Sequence, residues 1–394
     1  MGSAPDHTGE YRDAIPDGVP RGRGSEINPG NRFESLRLHV LGEHLDALAR
    51  EGSRPPLVRT TITPDSSRSI INRVDSPDIP FRWTVNPYRG CEHGCIYCYA
   101  RPTHEYLGLS CGLDFETKIH AKHDAPALLR EALMSPTWQG EGIVMSGVTD
   151  PYQPVERELR ITRGCLEVMA EFRQAVSLVT KNHLITRDLD LLAKLREHNA
   201  VHAAVSLTTL DNRLAAKMEP RASSPRERLD AIRELSAAGI PVSVMTAPII
   251  PGLNDREIPA LLEAARDAGA TSAGWVLLRL PFQIKDLFLE WLHRHFPERA
   301  AHIESLIRQA RGGSLYESEP FVRHRGRGEH AAQIGRTFEV FAARLGLSRP
   351  TGPINTLAFR RPTRPGDQLA LFAECFDPSR FGQSAAQTHA PSGA

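Results

Sequence analysis

The 394 residues carry 48 Lys and Arg against 47 Asp and Glu, a formal net charge of +1, with 40% hydrophobic residues and six cysteines. That length suits one large α/β domain with extensions, or two modest domains, with enough apolar residues for a sizeable core. No run reaches the length of a membrane span and no apolar leader is evident, so the expectation is a cytoplasmic protein that makes no membrane contact and keeps its thiols reduced.

Taken in order, residues 1–30 are rich in Gly, Pro and charge and are expected to be disordered. Residues 33–50 carry a helical apolar rhythm, and 54–80 form a proline-punctuated connection that completes an N-terminal extension over 1–80. From residue 81 strand and helix patterns alternate. Strands are predicted at 81–85, 143–146, 176–180, 201–207, 242–247 and 272–280, with helices at 162–172, 187–198, after Ser224 and at 255–268. Ser224-Pro225-Arg226-Glu227 has capping-box spacing with Pro at the first helical position, and Gly239 follows the last turn. Repeated βα units imply a parallel sheet with right-handed crossovers. Helices are expected near 284–295, 301–311 and 331–345, within a C-terminal extension over 282–348, and 349–394 reads as a mobile tail. From Arg279 to Arg364 fifteen Lys and Arg stand against eight Asp and Glu, a local excess of +7. Such an excess suits an anionic partner such as DNA or RNA, or a solvated helical face.

Chemistry concentrates after the first strand, in Arg89-Gly90-Cys91-Glu92-His93-Gly94-Cys95-Ile96-Tyr97-Cys98-Tyr99. Its C-x3-C-x2-C spacing brings three thiols together, one short of a closed zinc site unless His93 or Cys111 joins them. Three is the number that fits a cubane iron–sulfur cluster with one open iron. The motif, with Tyr97 before the third cysteine, resembles the signature of the radical S-adenosylmethionine (SAM) superfamily.

The resemblance, strongest over 81–281, implies an open (β/α)6 partial TIM barrel. It also implies a [4Fe–4S] cluster on Cys91, Cys95 and Cys98, and SAM chelated by the fourth iron. An electron from a donor such as flavodoxin or ferredoxin would then release a 5′-deoxyadenosyl radical that abstracts hydrogen. Groups facing SAM are expected at the carboxyl ends of the strands. Ser146, Gly147, Thr149 and Asp150 would receive its ammonium and Thr180 with Lys181 its carboxylate. Ser206 would reach the ribose or carboxylate. In Glu219-Pro220-Arg221 the glutamate would orient the arginine, and Tyr97 would help to hold the adenine. These elements resemble the spore photoproduct lyase-like, DNA repair photolyase-like branch. The hydrogen-donor cysteine of that lyase is matched here by Gly147, leaving Cys111 and Cys165 as candidate donors.

The leading expectation is an enzyme acting on nucleic acid. Its alternatives are a radical SAM enzyme for a peptide or small metabolite, and a non-enzymatic metal-binding nucleic-acid module. In the tail, Gln368, Leu369, Leu371 and Phe372 form a Gln-Leu-x-Leu-Phe pentapeptide resembling those by which bacterial repair proteins dock on the sliding clamp.

Overall fold

Two sheets organise the computed structural model, which describes residues 22–25, 27–33, 59–349 and 352–363. The chain lays down β1 (Thr61–Pro64), β2 (Ile71–Arg73), β3 (Trp83–Val85), β4 (Tyr88–Arg89) and β5 (Lys118–Ala121) before the repeating part begins. Then come β6 (Ile143–Met145), β7 (Val176–Thr180), β8 (Val201–Ser206), β9 (Val242–Ile249) and β10 (Ser272–Leu277). The large sheet has the order β10-β9-β8-β7-β6-β3-β2. Every neighbouring pair in it is parallel except β2 with β3. Its six parallel strands fall where the alternation of strand and helix patterns predicts them, giving the open (β/α)6 partial barrel.

The helices between the strands, including Ala125–Met134, Ile161–Phe172, Leu189–Arg196, Pro225–Ala237 and Ile258–Asp267, carry the apolar periodicity expected of elements that cover a parallel sheet. Leu129, Leu166, Leu192, Ile232 and Leu262 pack with Val176, Val201, Val242 and Val244 in one continuous core. The capping box closes as the spacing predicts: Glu227 N–H donates to Ser224 Oγ and Ser224 N–H to the Glu227 carboxylate. Among the described residues no helix is long and apolar enough to cross a membrane.

The small sheet, β1-β5-β4, was not foreseen. Its strands span two to four residues and β1 is wholly exposed, so no alternation betrays them. It matters because Tyr88 and Arg89 pair with Ala121 and His120 immediately before the first cysteine, fixing where the loop starts.

One expectation fails. Residues 22–25 and 27–30 are not disordered, because 23–25 meet a buried carboxylate and 27–29 accept from Leu113 N–H, Asp114 N–H and Ser110 Oγ. Gly24 N–H and Ser25 N–H donate to Glu116 at 2.9 and 2.7 Å, and Arg23 Nη1 donates to the Glu116 carbonyl at 2.9 Å. The helix expected over 33–50 lies, beyond Phe33, outside the described residues, as do Gln368, Leu369, Leu371 and Phe372. The C-terminal helices appear at Ile284–His295, Ala300–Gln309 and Gly328–Arg344.

Candidate active site at the strand ends

After β4 the chain turns through Gly90 (φ 81°) and Gly94 (φ 66°), and neither position has room for a side chain. A Cβ on Gly90 would lie 2.9 Å from the Phe115 carbonyl oxygen, and one on Gly94 would lie 2.6 Å from Glu116 Oε2. Arg101, fully buried, holds the loop's outer carbonyls. Its Nε donates to Cys95 O at 2.9 Å, Nη2 to Gly94 O at 3.1 Å, and Nη1 to Cys111 O and Gly112 O. Glu116 Oε1 accepts from Arg101 Nη2 at 2.5 Å and balances its charge. Cys91 N–H donates to Phe115 O and Ile96 N–H to Met218 O, so the loop is anchored on both sides.

Cys91 and Cys95 are buried and Cys98 nearly so. Burial pushes all three thiols up, and each feels its neighbours: Asp150, Cys95 and Cys98 raise Cys91 further, and Glu219 raises Cys95. Among the described residues, no three His, Cys, Asp or Glu side chains are grouped tightly enough for a single metal ion. Three thiols from one loop suit a cluster in which each binds a different iron, whereas a closed zinc site takes four ligands. His93 is not free to complete a zinc site. Its Nδ1 faces Asp150 Oδ2 at 3.3 Å, and its Nε2 accepts from Asn182 Nδ2 at 3.2 Å.

The strand ends surround this loop. After β6, Ser146 (φ 144°) and Gly147 (φ 139°) take a backbone path that is strained for a residue with a side chain. Ser146 Oγ donates to Thr149 O, and Thr149 Oγ1 donates to Gly90 O at 2.6 Å. Asp150 is a hub: it accepts from Thr180 Oγ1 at 2.7 Å, Lys181 N–H at 2.8 Å and Tyr152 N–H at 2.9 Å. Burial alone would push its carboxyl up, but His93, Thr180 and the Tyr152 amide outweigh that and hold it below the usual range. Lys181 has no carboxylate partner among the described residues, and its Nζ lies 5.9 Å from the Tyr97 ring centroid. Burial lowers its pKa while the neighbouring Cys95 opposes that shift. Ser206, buried at the end of β8, gives its carbonyl to Arg228 Nη1 at 3.2 Å.

Glu219 does not orient Arg221. It is bound by Arg228, by Tyr97 Oη and by Thr208 Oγ1, and burial still pushes its carboxyl up despite the Arg228 charge. Arg221 turns instead to Glu92 at 3.0 Å, a buried acid that also accepts from Thr60 Oγ1. The pairing predicted from Glu-x-Arg adjacency fails because Arg228, one helical turn into Pro225–Ala237, reaches the same carboxylate from a more buried position.

A model of the radical SAM superfamily matches residues 85–265. An uncharacterised protein of Mycobacterium tuberculosis is 38% identical over 245 residues, covering 61% of this chain and 72% of its own. One from Methanocaldococcus jannaschii is 30% identical over 176 residues, covering 45% and 63%. Among solved structures, spore photoproduct lyase complexed with dinucleoside spore photoproduct superposes with a TM-score of 0.52 at 16% identity, covering 73% of this chain and 81% of that one. The chain belongs to the radical SAM superfamily. It is a radical SAM enzyme, of a family that uses a [4Fe–4S] cluster and SAM.

For a radical SAM enzyme the donor set fits. Three thiols converge at a loop, an unpaired ammonium stands beside two of them, and the nearby carboxylates are already satisfied by the protein. The candidate hydrogen donors fare worse. Cys165 lies in helix Ile161–Phe172, fully buried in the main core away from the loop, where burial raises its thiol. Cys111 packs in the loop's own cluster but is 1% exposed, its thiol pushed up to about 12 by burial. Neither meets the mouth. Tyr99, which the sequence reading passed over, is half exposed there and donates to Gly147 O at 2.8 Å.

Proposed function

We propose that this radical SAM enzyme acts on nucleic acid, with Cys91, Cys95 and Cys98 holding the cluster and Lys181 taking the SAM carboxylate. The cluster and SAM, when bound, supply a 5′-deoxyadenosyl radical for hydrogen abstraction. The chain's own residues do the positioning. Arg101 and Glu116 hold the cysteine loop to its turn. Thr149 locks the segment after β6 against Gly90, and the carbonyls of Ser146 and Gly147 on that segment would receive the SAM ammonium. Asp150 ties Thr180 and the Lys181 amide to that segment, so it steers the ammonium's surroundings through its neighbours rather than by a free carboxylate. Glu219 holds Tyr97 and Thr208, and Arg221 with Glu92 braces the loop's other side.

The observation that carries the substrate class is the positive excess of the segment that follows the last strand. The segment following β10 has fifteen Lys and Arg against eight Asp and Glu from Arg279 to Arg364, and Arg279 stands over the Tyr99 ring at 5.2 Å. The likeness to spore photoproduct lyase brings in the same class by analogy of fold alone. Anaerobically reconstituted enzyme with dithionite should form 5′-deoxyadenosine faster when DNA is added, and its DNA affinity should fall steeply with salt, because phosphate contacts release counterions. Stimulation by a peptide or metabolite in place of DNA, with no salt-dependent binding, would return the alternative reading. Docking on the sliding clamp through Gln368, Leu369, Leu371 and Phe372 is a further part of this proposal. It requires that a peptide covering 367–374 bind the clamp, and absence of binding ends it.

A further inference from the structure

Five aromatic side chains among the described residues are at least half exposed, and three of them, Phe33, Tyr106 and Phe282, gather around Arg32. Tyr106 belongs to the short helix Arg101–Leu107 that follows the cysteine loop, and Phe282 comes five residues after β10 ends. They therefore arrive from the first and last parallel strands of the sheet. Residues 32 and 33 bridge them. The Phe33 and Tyr106 rings stand 5.3 Å apart at 30°, and the Arg32 guanidinium lies 3.8 Å from the Phe282 centroid and 4.8 Å from that of Phe33. A second pair, Arg279 over the Tyr99 ring at 5.2 Å, stands next to the cysteine loop, since Tyr99 follows Cys98. The segment carrying Phe282 also holds polar atoms with nothing to bond: Arg279 Nε and Gln283 Oε1 are buried and without a hydrogen-bond partner.

Folding alone does not account for this arrangement. Scattered exposed apolar residues are ordinary, but three exposed rings gathered around one guanidinium group are a recognition surface. The chemistry selects the occupant. Flat rings and guanidinium planes take the faces of unpaired bases, and Arg279 can take a phosphate, the charge of Arg32 being met already by Glu105 at 2.8 Å. In a duplex those base faces are stacked inward and out of reach. The positive excess from Arg279 onward complements a polyanion.

We propose that Arg32, Phe33, Tyr106 and Phe282 form a stacking platform for an unpaired segment of DNA, which it feeds past Tyr99 to the strand ends. The inference rests on the nucleic-acid reading above and narrows it to single-stranded or locally opened DNA.

The test uses the full reconstituted chain and a labelled single strand of mixed sequence, with its duplex and an RNA of the same sequence as competitors, across a range of salt. Tyr106→Ala and Phe282→Ala should each weaken single-strand binding by roughly five- to 150-fold, with the salt slope unchanged. Arg279→Gln should reduce that slope by about one. Tyr106→Phe should bind as the parent does, which separates a lost ring from a disturbed fold. SAM cleavage without DNA should be the same in every variant. If the parent binds DNA with a salt slope but the alanine variants bind equally well, the platform is wrong and the nucleic-acid reading stands. If the duplex or the RNA binds more tightly than the single strand, the assignment to unpaired DNA is overturned. If the parent binds no nucleic acid at any salt, the nucleic-acid reading itself is lost and the platform with it.

Discussion

Arg101 shows how far a single buried side chain can govern the site. Its guanidinium satisfies four carbonyls and one carboxylate, so Arg101→Met would strand Glu116 as an uncompensated buried charge. Breaking such a pair from one side typically costs about 3–5 kcal/mol. We expect Arg101→Met to lower the unfolding free energy by about that amount and to lower iron content, measured by denaturant melts and iron assay; wild-type values for both would contradict its role. Cys91→Ala, Cys95→Ala and Cys98→Ala should each abolish iron–sulfur absorbance, while Cys111→Ser and Cys375→Ala should not. Lys181→Met should weaken SAM binding by about 1.5–3 kcal/mol, the range for a hydrogen bond to a charged group, with iron content intact. The three cysteines were legible because their chemistry is written in spacing a few residues long. Arg101, Glu116 and Arg228 were not, because their partners lie on other segments and include backbone carbonyls, which leave no mark in a sequence. The Glu219 and Arg221 pairing misled for the same reason: adjacency suggested a partnership that the fold gives to Arg228.

At the scale of elements, the N-terminal strap is the unexpected part. Residues 22–25 lie on the cysteine loop, with Gly24 so close to the Gly94 carbonyl that no side chain fits there. Starting the chain at residue 34 removes two amide donors from the Glu116 carboxylate and the Arg23 contact to its carbonyl. At about 1.5–3 kcal/mol for each bond to a charged group, before water compensates, the truncation should measurably destabilise the loop and lower iron retention on dilution. Retention equal to the full chain would remove the strap's role. The strap escaped the sequence reading because it has no periodicity; it is held by amides and by the polar side chains of Arg23, Asn28 and Asn31. By contrast the six parallel strands were legible, since most are short apolar runs followed by an amphipathic helix. The short helix under the loop gives a pH dependence. Burial lowers His104, whose Nε2 bonds Lys118 O, and His202 on β8 to about 4. A base depressed in the folded state leaves stability complete above its unfolded value of 6.5 and removes it as pH falls toward 4. Urea midpoints should therefore drop from pH 7 to pH 5, and His104→Leu should shrink the drop; an unchanged drop in that variant would assign it to other groups.

For the whole molecule, the question is what ties the ends of an open sheet together. The reading of 81–281 as a core with separate extensions leaves those extensions without a task, yet they meet. Asp78, in the connection before β3, is half-buried with its side chain covered, and accepts from Arg323 Nε at 2.7 Å and Nη2 at 2.5 Å, and from Phe321 N–H at 3.0 Å. Arg323 belongs to the positive segment that suits an anionic partner or a solvated helical face, so part of that charge serves the fold instead. Arg323 holds the Asp78 carboxyl well below the usual range. The carboxylate thus stabilises the fold above its unfolded value of 3.8, and that contribution is lost as pH falls further, through the folded value. The pair sits close enough to water for screening to trim its worth, so Asp78→Ala should cost about 1–3 kcal/mol at pH 7. Its distinguishing mark is where the loss appears. If the pair is a latch between the extensions, amide hydrogen exchange should quicken in residues 71–85 and 322–344 together, 245 residues apart at the bond itself, while helix Ile161–Phe172 keeps its protection. Quickening confined to one side would mean that the two extensions are held independently and that Asp78 merely caps its own turn.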